Sequence, residues 1–354
     1  MSPTLDSLYA LLTEAIAAGA SDVHISPDHR PVFRVAGQLQ LDSSFQALTD
    51  AQIKSLVEHL RAGVYFAEPS NPSKHLPEQA HWVLVHEGLG VRVRVTAYST
   101  VAGSTLALRL LSKMPPKPNE ILMPEFLQQL SPFSNGLVLV TGPTGSGKST
   151  TLASWIYQCS TRFASHIVTI EDPIEYVFSH GKGLVHQCEL GSHFHGYHDA
   201  LTDILRRDPD VLMLGELRDL ASVELALRAA ETGHLVLGTL HSANAVDAVS
   251  RMVDIFPAQS RGYIRHMLST VLLGVVSQRL LPSSHALAKQ GRVANYEVLA
   301  TTTAVKHLIS EQKEVQLQAV MQTGAAHKMF TFEQNYQELL ANTWIDIELT
   351  AHSS

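Results

Sequence analysis

Cysteine is scarce in this 354-residue chain, which has only Cys159 and Cys188. Two thiols cannot build a four-cysteine zinc site, and so low a count suits a reducing compartment rather than a disulfide-stapled secreted domain. Long apolar runs are also missing. The longest candidate, residues 267–281, is interrupted by Ser269, Thr270, Gly274, Ser277, Gln278 and Arg279, so it reads as a buried amphipathic helix and not a membrane span. No basic segment followed by an apolar core opens the chain, and no secretory leader is expected. Positive charge is in deficit: 26 Lys and Arg against 33 Asp and Glu leave a net −7. That balance argues against a broad surface tracking nucleic-acid phosphates. A cytoplasmic protein with no nucleic-acid partner and no direct membrane insertion is therefore expected. At 45% hydrophobic and 17% charged residues the chain is a folded globular one, long enough for two cores.

What the chain does have is a complete phosphate-binding loop, Gly142-Pro143-Thr144-Gly145-Ser146-Gly147-Lys148-Ser149, followed by Thr150. A short apolar run, residues 136–141, precedes it and suits a buried strand; residues 150–157 after it suit an amphipathic helix. Strand, glycine loop and helix in that order distinguish the motif from an ordinary glycine-rich turn. The glycines let backbone N–H groups curl around phosphate oxygens at the positive end of the helix. Lys148 can reach the β- and γ-phosphates of ATP, and Ser149 can place its hydroxyl on Mg²⁺.

The first hundred or so residues read as a separate α+β unit. Leu5, Leu8, Leu12, Ala15 and Ile16 have helical spacing, with Gly19 as a stop. Residues 22–26 and 32–36 read as strands. Thr49 and Gln52 form a capping-box pattern that opens a helix through Leu60. Residues 82–86 and 91–98 alternate as a hairpin joined through Glu87-Gly88-Leu89-Gly90, and a further strand runs from about 105 to 111. Prolines 115, 116 and 118 mark a linker, giving expected boundaries of 1–112, a linker at 113–125 and a second domain at 126–354, whose part from about 259 onward is expected to be helical.

The second domain alternates strand and helix, as a mostly parallel α/β sheet does. Strands are expected at 166–171, 210–216 and 234–241, with helices at 199–207 and 221–232. Ligands of open α/β sheets sit at the carboxyl ends of the strands. That rule gathers Glu171, Asp172, Glu175, Glu216 and His241 around phosphates held by Lys148.

At these residues a family resemblance enters. Residues 169–176, Thr-Ile-Glu-Asp-Pro-Ile-Glu-Tyr, resemble the aspartate box of secretion and type IV pilus ATPases. Residues 205–219 resemble their Walker B region, residues 229–242 their histidine box, and Val320-Met321-Gln322-Thr323-Gly324 a C-terminal segment of the retraction-type members. Residues 20–25, Ala-Ser-Asp-Val-His-Ile, match the N-terminal pattern, so the resemblance spans nearly the whole chain. It implies a RecA-like P-loop ATPase domain preceded by a smaller PAS-like α+β domain. It further implies a hexameric ring motor, using ATP and Mg²⁺, that acts on an inner-membrane pilus platform protein from the inner face of the bacterial inner membrane. A paralogous pilus ATPase is a further partner of this kind.

Within that frame Glu216 orients or deprotonates the attacking water and touches Mg²⁺, because Gly215 occupies the place where many P-loop enzymes carry a metal-binding aspartate. Glu171, Asp172 and Glu175 supply outer contacts to the metal or the water. His234 and His241 bracket one strand, seven apart, and His241 at its carboxyl end is the expected γ-phosphate sensor. Arg92 and Arg94, two apart on a strand and hence roughly 7 Å apart on one face, would be solvated strand arginines by default. The resemblance instead implies that they reach nucleotide phosphate from the first domain, with Arg109 as a third candidate. His193, His195 and His198 match no standard zinc spacing and read as surface histidines.

Two segments depart from the retraction-type pattern. Lys306 and Ser310 stand where those members carry two arginines, and Cys188 replaces an arginine between Gln187 and Glu189. The chain has neither the longer N-terminal region nor the four-cysteine zinc motif usual in assembly-type relatives. Retraction is therefore the leading expectation, with pilus assembly or type II secretion as the alternative, and a DNA-translocating RecA-like motor or a nonhydrolytic partner of another ATPase further behind.

Overall fold

Alternating burial shapes the first of two units into which the chain divides, Met1–Met114 and Pro115–Ser354. The computed structural model describes residues 5–35, 37–41, 44–62, 79–85, 91–112, 114–190, 193–194, 196–285, 288 and 291–346. In the first unit, α1 (Leu5–Ala17) is followed by β1 (Ala20–Ile25), β2 (Val32–Val35), β3 (Gln38–Leu41), α2 (Asp50–Ala62), β4 (Gln79–Val85), β5 (Val91–Thr100) and β6 (Gly103–Ser112). The strands form one antiparallel sheet in the order β3-β2-β1-β6-β5-β4. Val23, Ile25, Val93, Val95, Leu106 and Leu108 turn to one face and pack against Leu8, Leu12, Ile53 and Leu56 of the two helices. Thr49 and Gln52 exchange backbone and side-chain hydrogen bonds at 2.9 and 3.4 Å, closing the capping box that starts α2. The expected turn at residues 87–90 lies outside the described residues.

The second unit begins earlier than a linker over 113–125 would allow. The last of the prolines that break the preceding structure starts a 3-10 turn, Pro118–Ile121, because a fixed φ suits a first turn that needs no N–H donor. Met123 and Leu127 are buried in this unit's core, and the Ile121 carbonyl accepts a 3.0 Å hydrogen bond from the buried Tyr296 hydroxyl. After α3 (Glu125–Gln128) come β7 (Gly136–Thr141), α4 (Lys148–Arg162), β8 (His166–Glu171), β9 (Leu184–Glu189), α5 (Tyr197–Ile204), β10 (Val211–Leu214), α6 (Leu220–Glu231), β11 (Leu235–Leu240), α7 (Ala245–Asp254) and α8 (Arg261–Val271). The chain continues through β12 (Leu272–Pro282), β13 (Arg292–Ala300), α9 (Thr303–Ser310), α10 (Leu317–Thr323) and α11 (Phe332–Ala341).

The seven strands lie in the order β13-β12-β7-β11-β10-β8-β9, parallel except for the β12–β13 pair. Every residue of β7, β10 and β11 is buried, as expected for parallel strands covered on both faces. Leu137 and Leu139 face a core built with α6, α7 and α8, whereas Val138 and Val140 face Trp155 and Ile156 of α4.

Two expectations are corrected here. Residues 267–281 are not one helix: α8 ends at Val271, and the rest is β12. A Cβ at Gly274 would lie 2.4 Å from the Phe126 ring and 2.7 Å from the Leu299 carbonyl oxygen, so the glycine permits close strand packing. Val275 and Val276, β-branched and fully buried, favour a strand at that place. The region from about 259 onward is accordingly not helical throughout. It supplies β12 and β13, and β12 lies directly beside the strand that leads into the phosphate loop.

Candidate active site

The phosphate loop leaves the carboxyl end of β7 and ends where α4 begins at Lys148. Gly142, Gly145 and Gly147 all have positive φ, at 148°, 78° and 90°. Crowding from β12 adds a second reason for glycine at two of them. A Cβ at Gly142 would fall 2.1 Å from the Gln278 carbonyl oxygen, and one at Gly147 would fall 2.7 Å from the Gln278 side-chain nitrogen. Gln278 itself is 2% exposed; its Nε2 donates to the Ser146 carbonyl at 2.7 Å and its Oε1 accepts from the Thr151 hydroxyl at 2.7 Å. One amide thus holds both the loop and the first turn of α4. In the sequence, Gln278 looked like a polar interruption in an apolar helix. The buried Ser146 hydroxyl has no protein partner. An orphaned hydroxyl inside a loop that only glycines can close fits an anion held by that loop.

From Lys148 a line of ionisable groups crosses the carboxyl edge of the sheet. Its Nζ donates to the carbonyls of Gly142 and Pro143 at 2.7 and 3.0 Å and lies 3.4 Å from His241 Nδ1. His241 Nε2 is 3.2 Å from one Glu216 oxygen, and Arg218 Nε is 2.8 Å from the other. Arg218 reaches on to Asp172 at 3.6 Å. Burial pushes the Lys148 ammonium below its ordinary pKa, against the opposing pull of Glu216. At Gly215 a Cβ would come within 3.0 Å of the Ile170 carbonyl oxygen. A side chain at 215 would need that backbone to give by a few tenths of an ångström, and the chain carries glycine there, followed by Glu216.

Glu171 belongs to a separate network. One of its oxygens accepts from the Thr169 hydroxyl at 2.6 Å and from Gln187 Nε2 at 3.0 Å. Burial raises its pKa although these donors, and a backbone bond from Glu175, favour the charged form. Thr150 meets the Tyr176 hydroxyl at 3.2 Å, joining α4 to the segment that carries Glu171, Asp172 and Glu175. The structure thus joins Lys148, His241 and Glu216 in succession and reaches Asp172 through Arg218, while Glu171, with Glu175 bonded to it, stands in its own network. Arg218, quoted in the sequence only as part of a motif, is the further member of the line.

The remaining candidates belong to other elements. Arg92 and Arg94 are on β5, alternating with the buried Val93 and Val95, and Arg94 stands opposite Arg109 on β6. Arg109 donates to Asp22 within the first unit at 2.9 Å. His234 precedes β11 at the end away from the phosphate loop, with Nδ1 3.0 Å from the Ala229 carbonyl at the close of α6. His193 Nδ1 accepts the Glu189 N–H at 2.9 Å, while His195 and the His198 side chain lie outside the described residues. Among the described residues no cluster of His, Cys, Asp or Glu is arranged to hold a metal.

Residues 1–344 match the family model described as type II/IV secretion system protein. The chain belongs to that family. It is 38% identical over 339 residues to the type IV pilus retractation ATPase PilT of Pseudomonas aeruginosa, covering 96% of this chain and 95% of that one. It is 45% identical over 249 residues to a twitching motility protein of Neisseria gonorrhoeae, covering 70% of this chain and 66% of the relative. Among solved structures, the pilus retraction motor PilT with bound ADP superposes with a TM-score of 0.80 at 37% identity, covering 98% of this chain and 96% of that one. As a member of the type II/IV secretion system family, the chain is a RecA-like P-loop ATPase: it binds nucleotide and hydrolyses ATP. No helix among the described residues is long and apolar enough to cross a membrane.

Proposed function

We propose that this ATPase is a pilus retraction motor, working as a hexameric ring on an inner-membrane platform protein at the cytoplasmic face of the membrane. The observation that carries the reading is the likeness to the P. aeruginosa retraction ATPase over nearly the full length of both chains. The connected line from Lys148 through His241 to Glu216 supports it, because a motor must hydrolyse. A paralogous pilus ATPase is a further expected partner.

In this reading the loop residues 142–150 cradle the phosphates, and Lys148 exchanges the carbonyls of Gly142 and Pro143 for β- and γ-phosphate oxygens. Ser149 and Glu216 are the residues that would hold Mg²⁺, which supplies neutralising charge when bound. Glu216 accepts the proton of the attacking water as its oxygen bonds to the γ-phosphorus and the bond to the departing ADP oxygen breaks. His241, between Lys148 and Glu216, senses the γ-phosphate. Asp172 steadies the line through Arg218, while Glu171 and Glu175 shape its outer side. Arg92, Arg94 and Arg109 of the first unit are the further cationic residues assigned to nucleotide phosphate in this reading. Deleting the gene should leave cells with surface pili that no longer retract, and the Glu216→Gln gene should fail to restore retraction. Loss of surface pili while pilin is still made would identify an assembly motor instead, with Lys306 and Ser310 as the first segment to examine.

A further inference from the structure

Glu297 is a buried carboxylate that the hydrolytic line does not include. It lies on β13 opposite Ser277 of β12; Ser277 lies beside Thr141 of β7, and Thr141 beside Leu240 of β11. Laterally paired residues share a sheet face. Glu297 therefore stands on the row from which the phosphate loop and His241 leave the sheet. Its side chain, in a residue 2% exposed, accepts the N–H of Ala245 at 2.9 Å, and the nearby backbone N–H of Phe332 favours its charged form. Those are the first residues of α7 and α11.

Neither helix needs Glu297 as a cap. The Asn244 side chain already accepts the Asp247 N–H, and Thr331 and Gln334 form a capping box at the start of α11. A buried carboxylate costs desolvation, and burial does push this carboxyl above its ordinary range. What Glu297 adds is a tie between two helices that are distant in sequence. One of them, α7, begins just after His241 and returns to it, because Arg251 Nη1 donates to the His241 carbonyl at 3.2 Å. Thr141 holds the next residue, with its hydroxyl bonded to the Ser242 N–H and carbonyl at 3.0 and 2.9 Å. The backbone that presents the His241 ring to Glu216 is thus set by where α7 starts.

We propose that Glu297 is a positioning residue for ATP hydrolysis, tying the start of α7 to the start of α11 and thereby fixing His241 between Lys148 and Glu216. The proposal rests on the role assigned to His241 above. Glu297→Gln is the sharpest variant, since a glutamine oxygen can serve one helix while its NH₂ presents a donor to the other. In the full-length protein, Glu297→Gln should lower kcat for ATP by about tenfold while KM changes less than about twofold. Glu297→Asp, which keeps the acceptor charge on a shorter arm, should recover part of the rate. The double variant Glu297→Gln with His241→Ala should be no slower than His241→Ala alone, because residues acting through one another are non-additive. Melting temperatures measured in parallel separate loss of rate from loss of fold, and Glu297→Asp carries the same cycle if Glu297→Gln does not fold. Wild-type kcat in the Glu297 variants, or losses that multiply in the double variant, overturns the proposal and leaves His241 in place. Wild-type kcat in His241→Ala removes the role of His241, and the proposal with it.

Discussion

His241 and His234 sit at opposite ends of one buried strand and meet opposite surroundings. At the carboxyl end, His241 touches Lys148 and Glu216, side chains that themselves carry charge. At the amino end, His234 approaches the Ala229 carbonyl, and His166 approaches the Asp208 carbonyl at 3.0 Å and His186 at 2.8 Å. The polarity of a parallel α/β sheet explains the contrast. Helices start beyond the carboxyl ends of the strands, bringing free N–H groups and positive dipole ends. They finish near the amino ends, leaving carbonyls that need donors. One edge therefore gathers ionisable side chains where helices start, while the other sets histidines against carbonyls where helices end.

The contrast is broken most severely at Lys148 and Glu216. Lys148→Ala should lower ATP turnover by about a thousandfold or more and weaken nucleotide binding as well. Glu216→Gln should lose turnover on a similar scale yet retain ATP, because shape and hydrogen bonding are preserved. Equilibrium nucleotide binding beside steady-state turnover checks the difference, and normal turnover in Glu216→Gln would exclude it as the base. The two histidines sharpen the comparison at intermediate scale. His241→Ala should lower kcat by roughly ten- to a hundredfold. His234→Ala should leave kcat unchanged and cost only about 0.5–1.5 kcal/mol in denaturant unfolding, the worth of one hydrogen bond at a helix end.

The smallest effect concerns Glu171. Its folded-state pKa is raised by burial from an ordinary 4.5, so its contribution to stability is fully present below that value and declines as pH rises through the raised one. Glu171→Gln removes this dependence. Its melting temperature relative to wild type should therefore rise between pH 4 and neutrality, and a constant difference across that range would show that Glu171 is not desolvated.

Much of this edge was legible in the sequence because local patterns and strand polarity suffice for it. The loop's flanks placed Lys148, and the rule that ligands meet strand carboxyl ends placed Glu216 and His241. The same rule gathered Glu171 with them, though two neutral neighbours, Thr169 and Gln187, hold its carboxylate in a network of its own. Gln278 escaped because a buried amide acting across strands carries no local signature, and its surroundings imitate an amphipathic helix. Gly274 followed by Val275 and Val276 was the available sign of a strand there. Arg218 was hidden because a strand-end arginine looks solvated until Asp172 and Glu216 are known to flank it. Glu297 escaped because the region from about 259 onward is expected from the sequence to be helical, and nothing nearby in sequence announces the two helix starts that meet it.

The Gln278 clamp also sets an order of events during synthesis. The strand leading into the phosphate loop has β12 and β11 as its sheet neighbours, and both are made after it. The amide that holds the Ser146 carbonyl lies 132 residues downstream of it. A chain still on the ribosome can therefore display every residue of the nucleotide signature without owning the pocket those residues describe. The pocket with both of its sheet neighbours and its clamp in place exists only once the last third of the polypeptide has been made.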